Sequence, residues 1–376
     1  MTVDLSDPSD LRDPSSSTEL ASEPVVPGPA PIWEVIHGFT RYWAVVAALG
    51  LGLFEQLAAG PRPASALAAA VGVDEHRTAL LADTLVALGL LTHEPAVGYR
   101  LGAVATTYLL AGAPRTMVAL VRGAPGPHER WPELAETLRR GAPAVRIEDD
   151  PGGFYPALAA ATAPVQRQVA RAVAATLHPV GPEPLVIDLG AGAAPWALAF
   201  LAAWPRARAL AVELPEVVAV TRRAIDAEIG GAAVDAAVGG ATVGAESGAV
   251  RAGGRVRVVA GDYHEVELPN AAADVVVLGH VLRAESVAGA RRLVARAAAA
   301  LRPGGTLVVT DYPRPEVPTA PSAPALLMGL TMLASTGGDG IFRVADLHGW
   351  MRAAGLEPAA TLQPLPGQTV MTARRP

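Results

Sequence analysis

The 376-residue sequence contains no cysteine, which excludes a disulfide framework, a thiolate metal site and a cysteine nucleophile; no metal is expected. Lysine is also absent, so all 30 basic residues are arginine. Acidic residues number 36, the net charge is −6 and there is no basic tract. Nucleic acid is therefore not the expected partner, and a small molecule or another protein is. Aromatic residues are scarce, at 5%, which argues against a large stacking pocket. Tyr42 to Leu53 is the most apolar early run, but glycines and Glu55 keep it below the length of a membrane span. The first residues are acidic and Ser/Pro-rich rather than basic and then apolar, unlike a secretory leader. The expectation is a soluble, cytoplasmic protein.

What is present is 51% apolar and 18% charged, enough for two domains and a sizeable core. The stretch from Leu185 to Leu214 organises the rest. Leu185-Val186-Ile187 reads as a buried strand, and Asp188-Leu189-Gly190-Ala191-Gly192-Ala193-Ala194-Pro195 as a tight turn into a helix over Trp196 to Ala203. A second strand, Ala209 to Val212, ends on Glu213. This is half of a nucleotide-binding βαβ unit, in which glycines admit a ligand close to the backbone and a carboxylate holds ribose hydroxyls. Gly-x-Gly turns also occur merely to pack a strand on a helix, and NAD competes for such a turn.

In chain order, residues 1–29 carry no hydrophobic period and read as disordered. A helical pattern runs from Ile32 to Leu57 and stops at Gly60-Pro61. Ser65 to Val71 and Glu75 to Leu88 follow, with Asp74 placed to cap the second. Leu90 to Thr92 and Tyr99 to Leu101 then read as a small wing. Helices and wing together suggest a winged helix, but Glu75, His76, Arg77 and Asp83 on the presumed recognition helix give no positive surplus for phosphates. Residues 112–180 form a helical connector, with helices over Trp131 to Arg140 and Ala157 to Leu177. Residues 230–254, rich in Gly, Ala and Val, read as a flexible insertion. Strands at Val256 to Ala260, Val275 to Leu278, Leu307 to Thr310 and Thr369 to Thr372, with helices at Val287 to Leu301 and Phe342 to Ala354, complete residues 181–376.

Gly261-Asp262-Tyr263, Gly279-His280 and Leu301-Arg302-Pro303-Gly304-Gly305 follow the glycine turn in order and at domain-like spacing. With it they resemble the class I S-adenosylmethionine-dependent methyltransferases, and more narrowly the small-molecule O-methyltransferases with an N-terminal dimerisation domain. The resemblance implies a Rossmann-like doubly wound α/β sheet behind a mostly helical winged-helix domain spanning 30–111. It implies a homodimer through that domain, and S-adenosylmethionine as cofactor. By position, Asp188, Gly190 and Gly192 would lie under its methionine part, with Ala194 replacing a third glycine. Glu213 would hold the ribose, Leu214 would pack on the adenine, Asp262 and Tyr263 would meet it, and Gly279 would approach the sulfonium. Trp131, Phe154 and Tyr155 are candidate pocket linings, and His128 reads as a loop residue.

The catalytic residues depart from that family. Where it carries a histidine base in Leu-His-Asp-Trp, this chain reads His280-Val281-Leu282-Arg283-Ala284-Glu285. Arg283 stays protonated and cannot be a base, but it can hold an acidic group or a developing anion. Asp311, at the position of the carboxylate that steers the histidine, would orient it or form a structural ion pair with it. Phe342 stands where Gly-Gly-x-Glu-Arg-Thr has its glutamate, although Gly337-Gly338 and Arg343 remain. His264, His280 and His348 are substitute bases, His264 foremost. The resemblance thus implies methyl transfer, most simply to oxygen, on a natural-product-like metabolite. A same-fold enzyme of pericyclase, hydroxylase or decarboxylase type, keeping its methyl group, is the alternative, and a non-catalytic dimeric binder is a third.

Overall fold

A computed structural model describes residues 28–123, 128–230, 234–237, 254–319 and 323–376. The expected disordered lead-in lies almost wholly outside the described residues, as does most of the 230–254 insertion.

The N-terminal region is built from α1 (Ala30–Gly50), α2 (Leu53–Gln56), α3 (Ala64–Val71) and α4 (Glu75–Ala87), the hairpin β1 (Leu91–Glu94) and β2 (Gly98–Leu101), and α5 (Ala103–Tyr108). The single helix expected to reach Leu57 is in fact broken, because Gly52 takes φ +68° and turns the chain between α1 and α2. Asp74 caps α4 as expected, accepting the Arg77 N–H at 3.1 Å. Leu49, Leu53, Phe54, Leu67, Leu85 and Tyr99 close a small core. One stripe of α1 is left out of it: Ile32, Trp33, Val35, Ile36, Phe39 and Trp43 are exposed.

The connector comprises α6 (Val118–Gly123), a 3₁₀ turn at His128–Glu133 that carries Pro132, α7 (Leu134–Arg140) and α8 (Pro151–Ala174). The helix expected from Trp131 therefore begins as 3₁₀. The one expected from Ala157 starts six residues earlier, since Asp150 accepts the Gly153 N–H at 3.1 Å and Pro151 fits the first turn. Glycines and Pro156 hid that start from a reading by composition.

The remainder alternates strands and helices: β3 (Leu185–Leu189), α9 (Pro195–Ala203), β4 (Arg208–Glu213), α10 (Val218–Ile229), β5 (Val234–Ala237), β6 (Val256–Ala260), β7 (Ala273–Gly279), α11 (Val287–Ala300), β8 (Leu301–Asp311), α12 (Ala323–Ser335), α13 (Val344–Ala353), β9 (Glu357–Leu365) and β10 (Gln368–Arg374). The strands form one sheet in the order β5-β6-β4-β3-β7-β8-β10-β9. It is parallel from β5 to β8, while β10 runs antiparallel to both β8 and β9. Helices cover both faces. Leu293 and Val294 of α11 pack with Leu347 and Met351 of α13 on one side, and Val173 of α8 with Phe200 of α9 and Ile225 of α10 on the other. The doubly wound sheet expected from the βαβ pattern is thus present.

Three of these elements were not anticipated. β5 lies inside the stretch read as a structureless insertion and forms an eighth, edge strand, so that reading is corrected for Val234–Ala237. β9 is mostly exposed and carries two prolines, so only its pairing with β10 defines it. α12 is apolar nearly throughout and follows a proline-rich segment, which masks its period. Among the described residues, no helix is long and apolar enough to cross a membrane.

Asp274, buried at the start of β7, fastens the chain that enters the sheet. Its carboxylate accepts the N–H groups of Val180, Gly181 and Leu185 at 2.8, 3.0 and 2.9 Å, with Arg302 at 3.5 Å. Asp274→Ala strands three donors and is expected to cost about 3 kcal/mol in urea unfolding. Glu183→Ala, which breaks only an exposed pair with Arg208, should change stability by less than about 1 kcal/mol.

Candidate active site

The glycine turn is held by the strand beside it. Gly190 and Ala191 both donate to the Val212 carbonyl, at 2.9 and 3.1 Å. Gly192 donates to Glu213 Oε2 at 2.5 Å, and Leu214 donates to Oε1 at 2.7 Å. Thr221 of α10, which the sequence did not single out, donates its hydroxyl to the Gly192 carbonyl at 2.6 Å. At Gly190, φ is +69° and a Cβ would stand 2.5 Å from Val281 Cγ1, so only glycine fits. Ala194 takes φ +52°, so replacing the family's third glycine costs backbone strain rather than space.

Two buried acids flank this turn with no cation beside them among the described residues. Asp188 Oδ2 accepts the Ala197 N–H of α9 at 3.1 Å, while Oδ1 is buried with no partner among the described residues. Burial pushes its carboxyl up to about 7, helped by Glu213 and opposed by the Ala197 N–H. Glu213 is raised as well, by burial that its two N–H bonds only partly offset. An orphaned carboxylate oxygen, a cation-free buried acid and a turn with no room for a Cβ fit a cationic nucleotide bound at the carboxyl edge of the sheet.

The strand after next supplies the far wall. Asp262 follows β6, stays exposed and accepts the His264 N–H at 2.7 Å. Tyr263 packs against the glycine turn, 3.7 Å from where a Gly190 Cβ would lie. Its hydroxyl donates to Glu285 Oε1 at 2.8 Å; burial and Glu285 push that phenol well up. His264 Nε2 lies 3.0 Å from the same oxygen. Glu285 was not predicted from sequence, and nothing short of the fold joins it to Tyr263, 22 positions away. α8 closes over the turn, with Tyr155 and Ala159 against Leu214, Ala193 and Val217, and burial raises the Tyr155 phenol to about 12. Gly279 ends β7 beside the Trp196 indole.

A second cluster sits after β7 and β8. Asp311 Oδ2 accepts the Arg283 backbone N–H at 3.1 Å, and Oδ1 accepts that of Tyr312 at 2.9 Å. The Arg283 guanidinium is 3.7 Å from Asp311, 2.7 Å from His280 Nδ1 and 5.7 Å above the Tyr312 ring. Burial, which would raise the Asp311 carboxyl, is outweighed by His280 and Arg283, leaving it below the usual range. Arg283, Asp311, Tyr312 and Phe342 line a small cavity.

The structure therefore brings Arg283, Asp311 and His280 together and sets His264 beside Glu285. It does not bring His348 into either cluster: that side chain stands on α13 against Thr361 of β9. Phe342 is core, packed edge-on to Trp350 at 4.9 Å. Gly338 passes so close to the Ala284 carbonyl that a Cβ would be 2.5 Å from it, and Asp339 accepts the Val287 N–H at 2.7 Å. Phe154 and Tyr155 meet edge to face at 5.5 Å. The Trp131 turn is tied to α12 by Arg130, which donates to the Ser335 carbonyl at 3.1 Å. The His128 side chain lies outside the described residues.

Sheet order and site together define a class I S-adenosylmethionine-dependent methyltransferase. Residues 33–111 match the O-methyltransferase dimerisation domain, and residues 163–361, over half the chain, match a methyltransferase domain. The chain belongs to the S-adenosylmethionine-dependent O-methyltransferase family. It is 30% identical over 330 residues to acetylserotonin O-methyltransferase of Mus musculus molossinus, covering 82% of this chain and 78% of that one. It is 26% identical over 355 residues to 3-hydroxy-5-methyl-1-naphthoate 3-O-methyltransferase of Streptomyces sahachiroi, covering 90% and 93%. Human N-acetylserotonin methyltransferase, solved in complex with S-adenosylmethionine, superposes with a TM-score of 0.73 at 23% identity over 94% of this chain and 99% of that one.

The raised Asp188 carboxyl predicts a pH-dependent fold. Its folded value of about 7 lies above the ordinary 3.8, so between these values the folded state holds a proton that the unfolded chain has released. Stability of the cofactor-free protein should fall as pH rises through that window and level off above it. Asp188→Asn is expected to flatten the slope in thermal melts, and an unchanged slope would remove Asp188 as its source.

Proposed function

We propose that the chain transfers the methyl group of S-adenosylmethionine to a hydroxyl of a small aromatic, natural-product-like acceptor that carries an acidic group on the same ring as its reacting oxygen. The observation that carries this reading is the partly buried Arg283 guanidinium, held by His280 beyond the end of β7 and adjoining the cavity it shares with Tyr312 and Phe342. The cofactor supplies an electrophilic methyl group on a sulfonium. Asp188, Gly190 and Gly192 would cradle its amino-acid part, Glu213 would clasp the ribose hydroxyls, and Leu214, Asp262 and Tyr263 would enclose the adenine. Gly279 would border the sulfonium. Arg283 would pair with the acceptor's acidic group and favour the ionised hydroxyl, whose oxygen attacks the methyl carbon as the carbon–sulfur bond breaks. S-adenosylhomocysteine, the methyl ether and a proton are the products. Arg283 would thus supply by charge what a histidine base supplies by proton removal. Among the relatives, the naphthoate methyltransferase of Streptomyces sahachiroi is named for an acceptor of this kind, and the names of the curated relatives specify methyl transfer rather than a reaction that leaves the cofactor intact.

We assign residues 30–111 to dimerisation, 112–180 to a connector that walls the acceptor site and 181–376 to the cofactor domain, in a cytoplasmic enzyme with a small-molecule rather than nucleic-acid substrate. The exposed stripe of α1 supports a homodimer, because two copies could bury what one copy leaves in water.

Incubation with 3-hydroxy-1-naphthoate and S-adenosylmethionine is expected to yield methyl ether and S-adenosylhomocysteine in step; product formed while the cofactor stays intact would overturn methyl transfer. Arg283→Gln should lower kcat/KM for that acid by about 10²-fold and affect 2-naphthol, which lacks the carboxylate, far less. The double variant Trp33→Glu, Phe39→Glu is expected to elute as a monomer in light scattering, and a dimer of unchanged mass would place the interface elsewhere.

A further inference from the structure

His280 was one of the bases suggested by sequence, yet its surroundings leave it no free nitrogen. A neutral imidazole has two ring nitrogens and one proton, and a guanidinium can only donate. Arg283 Nη1 lies 2.7 Å from His280 Nδ1, so Nδ1 is the acceptor and the proton sits on Nε2. Burial first, and then the charge of Arg283, keeps the ring neutral, against the pull of Asp311 with its Oδ1 3.8 Å away. Tyr312, 5.4 Å off, is the other titratable group that faces it.

The group opposite Nε2 is the side-chain amide of Gln368 on β10, 3.0 Å away. With the amide nitrogen turned toward the ring, donors would meet both ring nitrogens, and the amide oxygen is buried without a partner. With the oxygen turned inward, it accepts the His280 Nε2–H, and the Thr310 hydroxyl at 2.9 Å can donate to it as well. Gln166 of α8, 3.3 Å from the same position, then donates through its own amide nitrogen. The backbone of His280 is left-handed too: φ is +62°, a conformation uncommon for residues other than glycine, with asparagine, aspartate and histidine its commonest exceptions.

Resting on the reading of Arg283 as the acceptor-binding group, we infer that His280 is its positioning residue. The Nδ1 lone pair aims the guanidinium, and the inward oxygen of Gln368 fixes the tautomer that leaves that lone pair available. His280 takes no proton from the acceptor in this arrangement. Sequence alone could not show this, because His280 and Gln368 stand 88 positions apart and meet only where β10 inserts antiparallel beside β8.

The test begins without substrate. Nitrogen-15 spectra of cofactor-free protein labelled at histidine, with His280 assigned by loss of its signal in His280→Asn, should show a neutral ring protonated at Nε2 that does not titrate through neutral pH. A proton on Nδ1, or titration near the ordinary histidine value, overturns the inference whether or not methyl transfer is the reaction. With 3-hydroxy-1-naphthoate as the probe acceptor, His280→Gly, which relieves the left-handed backbone but removes the lone pair, is expected to lower kcat about 10²-fold with the KM for S-adenosylmethionine unchanged. His280→Asn tolerates that backbone and restores an acceptor oxygen near Nδ1, and should recover about tenfold of the loss. Equal rates for the two variants would reduce His280 to a backbone role and sink the assignment. If wild-type protein leaves the probe untouched, the proposed acceptor class fails on its own and the spectra still decide the tautomer.

Discussion

The glycine turn and Glu213 hold one another in place. Gly190 and Ala191 bond to the last carbonyl but one of β4, and the carboxylate of the next residue returns to take the Gly192 N–H. Neither the turn nor the acid has its geometry without the other, and both depend on the parallel register that sets Leu189 opposite Val212. Asp188 anchors the other side by binding the start of α9. The cofactor end of the site is therefore a consequence of how two central strands terminate, which is where an open α/β sheet concentrates backbone donors.

Charge divides the site into two parts. On the proposed cofactor side, the buried acids are offset, among the described residues, only by N–H groups, which suits an incoming cation. On the acceptor side, the one arginine is confined by a neutral imidazole, an aspartate that mainly grips its backbone, and an aromatic face. In the proposed reaction a sulfonium and an acidic acceptor would meet opposite fields. The first interaction would orient the donor and the second would raise the fraction of nucleophilic oxygen, which is most of what a protein can contribute to an in-line methyl shift.

Much of this was legible in the residues. The order Asp188, Gly190, Gly192, Glu213, Asp262 marked the ends of the parallel strands because strand-end motifs are local in sequence. The helices and hairpin of the N-terminal region were legible for the same reason, apart from the break at Gly52. What could not be read is whatever depends on distant segments meeting. Glu285 beneath Tyr263, Thr221 on the turn and Gln368 behind His280 are ordinary residues until the sheet assembles. β9 has no inward face to give it a period, and α12 carries apolar residues even on its exposed side, as at Leu327. His348, a lesser candidate on paper than His264, stands on α13 against β9 and joins neither cluster, which periodicity alone does not reveal.

The alanine at position 194 shows what the loss of a pattern residue is worth. Held at φ +52°, its side chain costs roughly 1–2 kcal/mol in the folded protein. A glycine there would avoid that penalty, but its looser unfolded chain would forfeit about 1 kcal/mol. The two effects nearly cancel, so the fold tolerates either residue at this position, and the loss of a pattern glycine there is nearly neutral for stability.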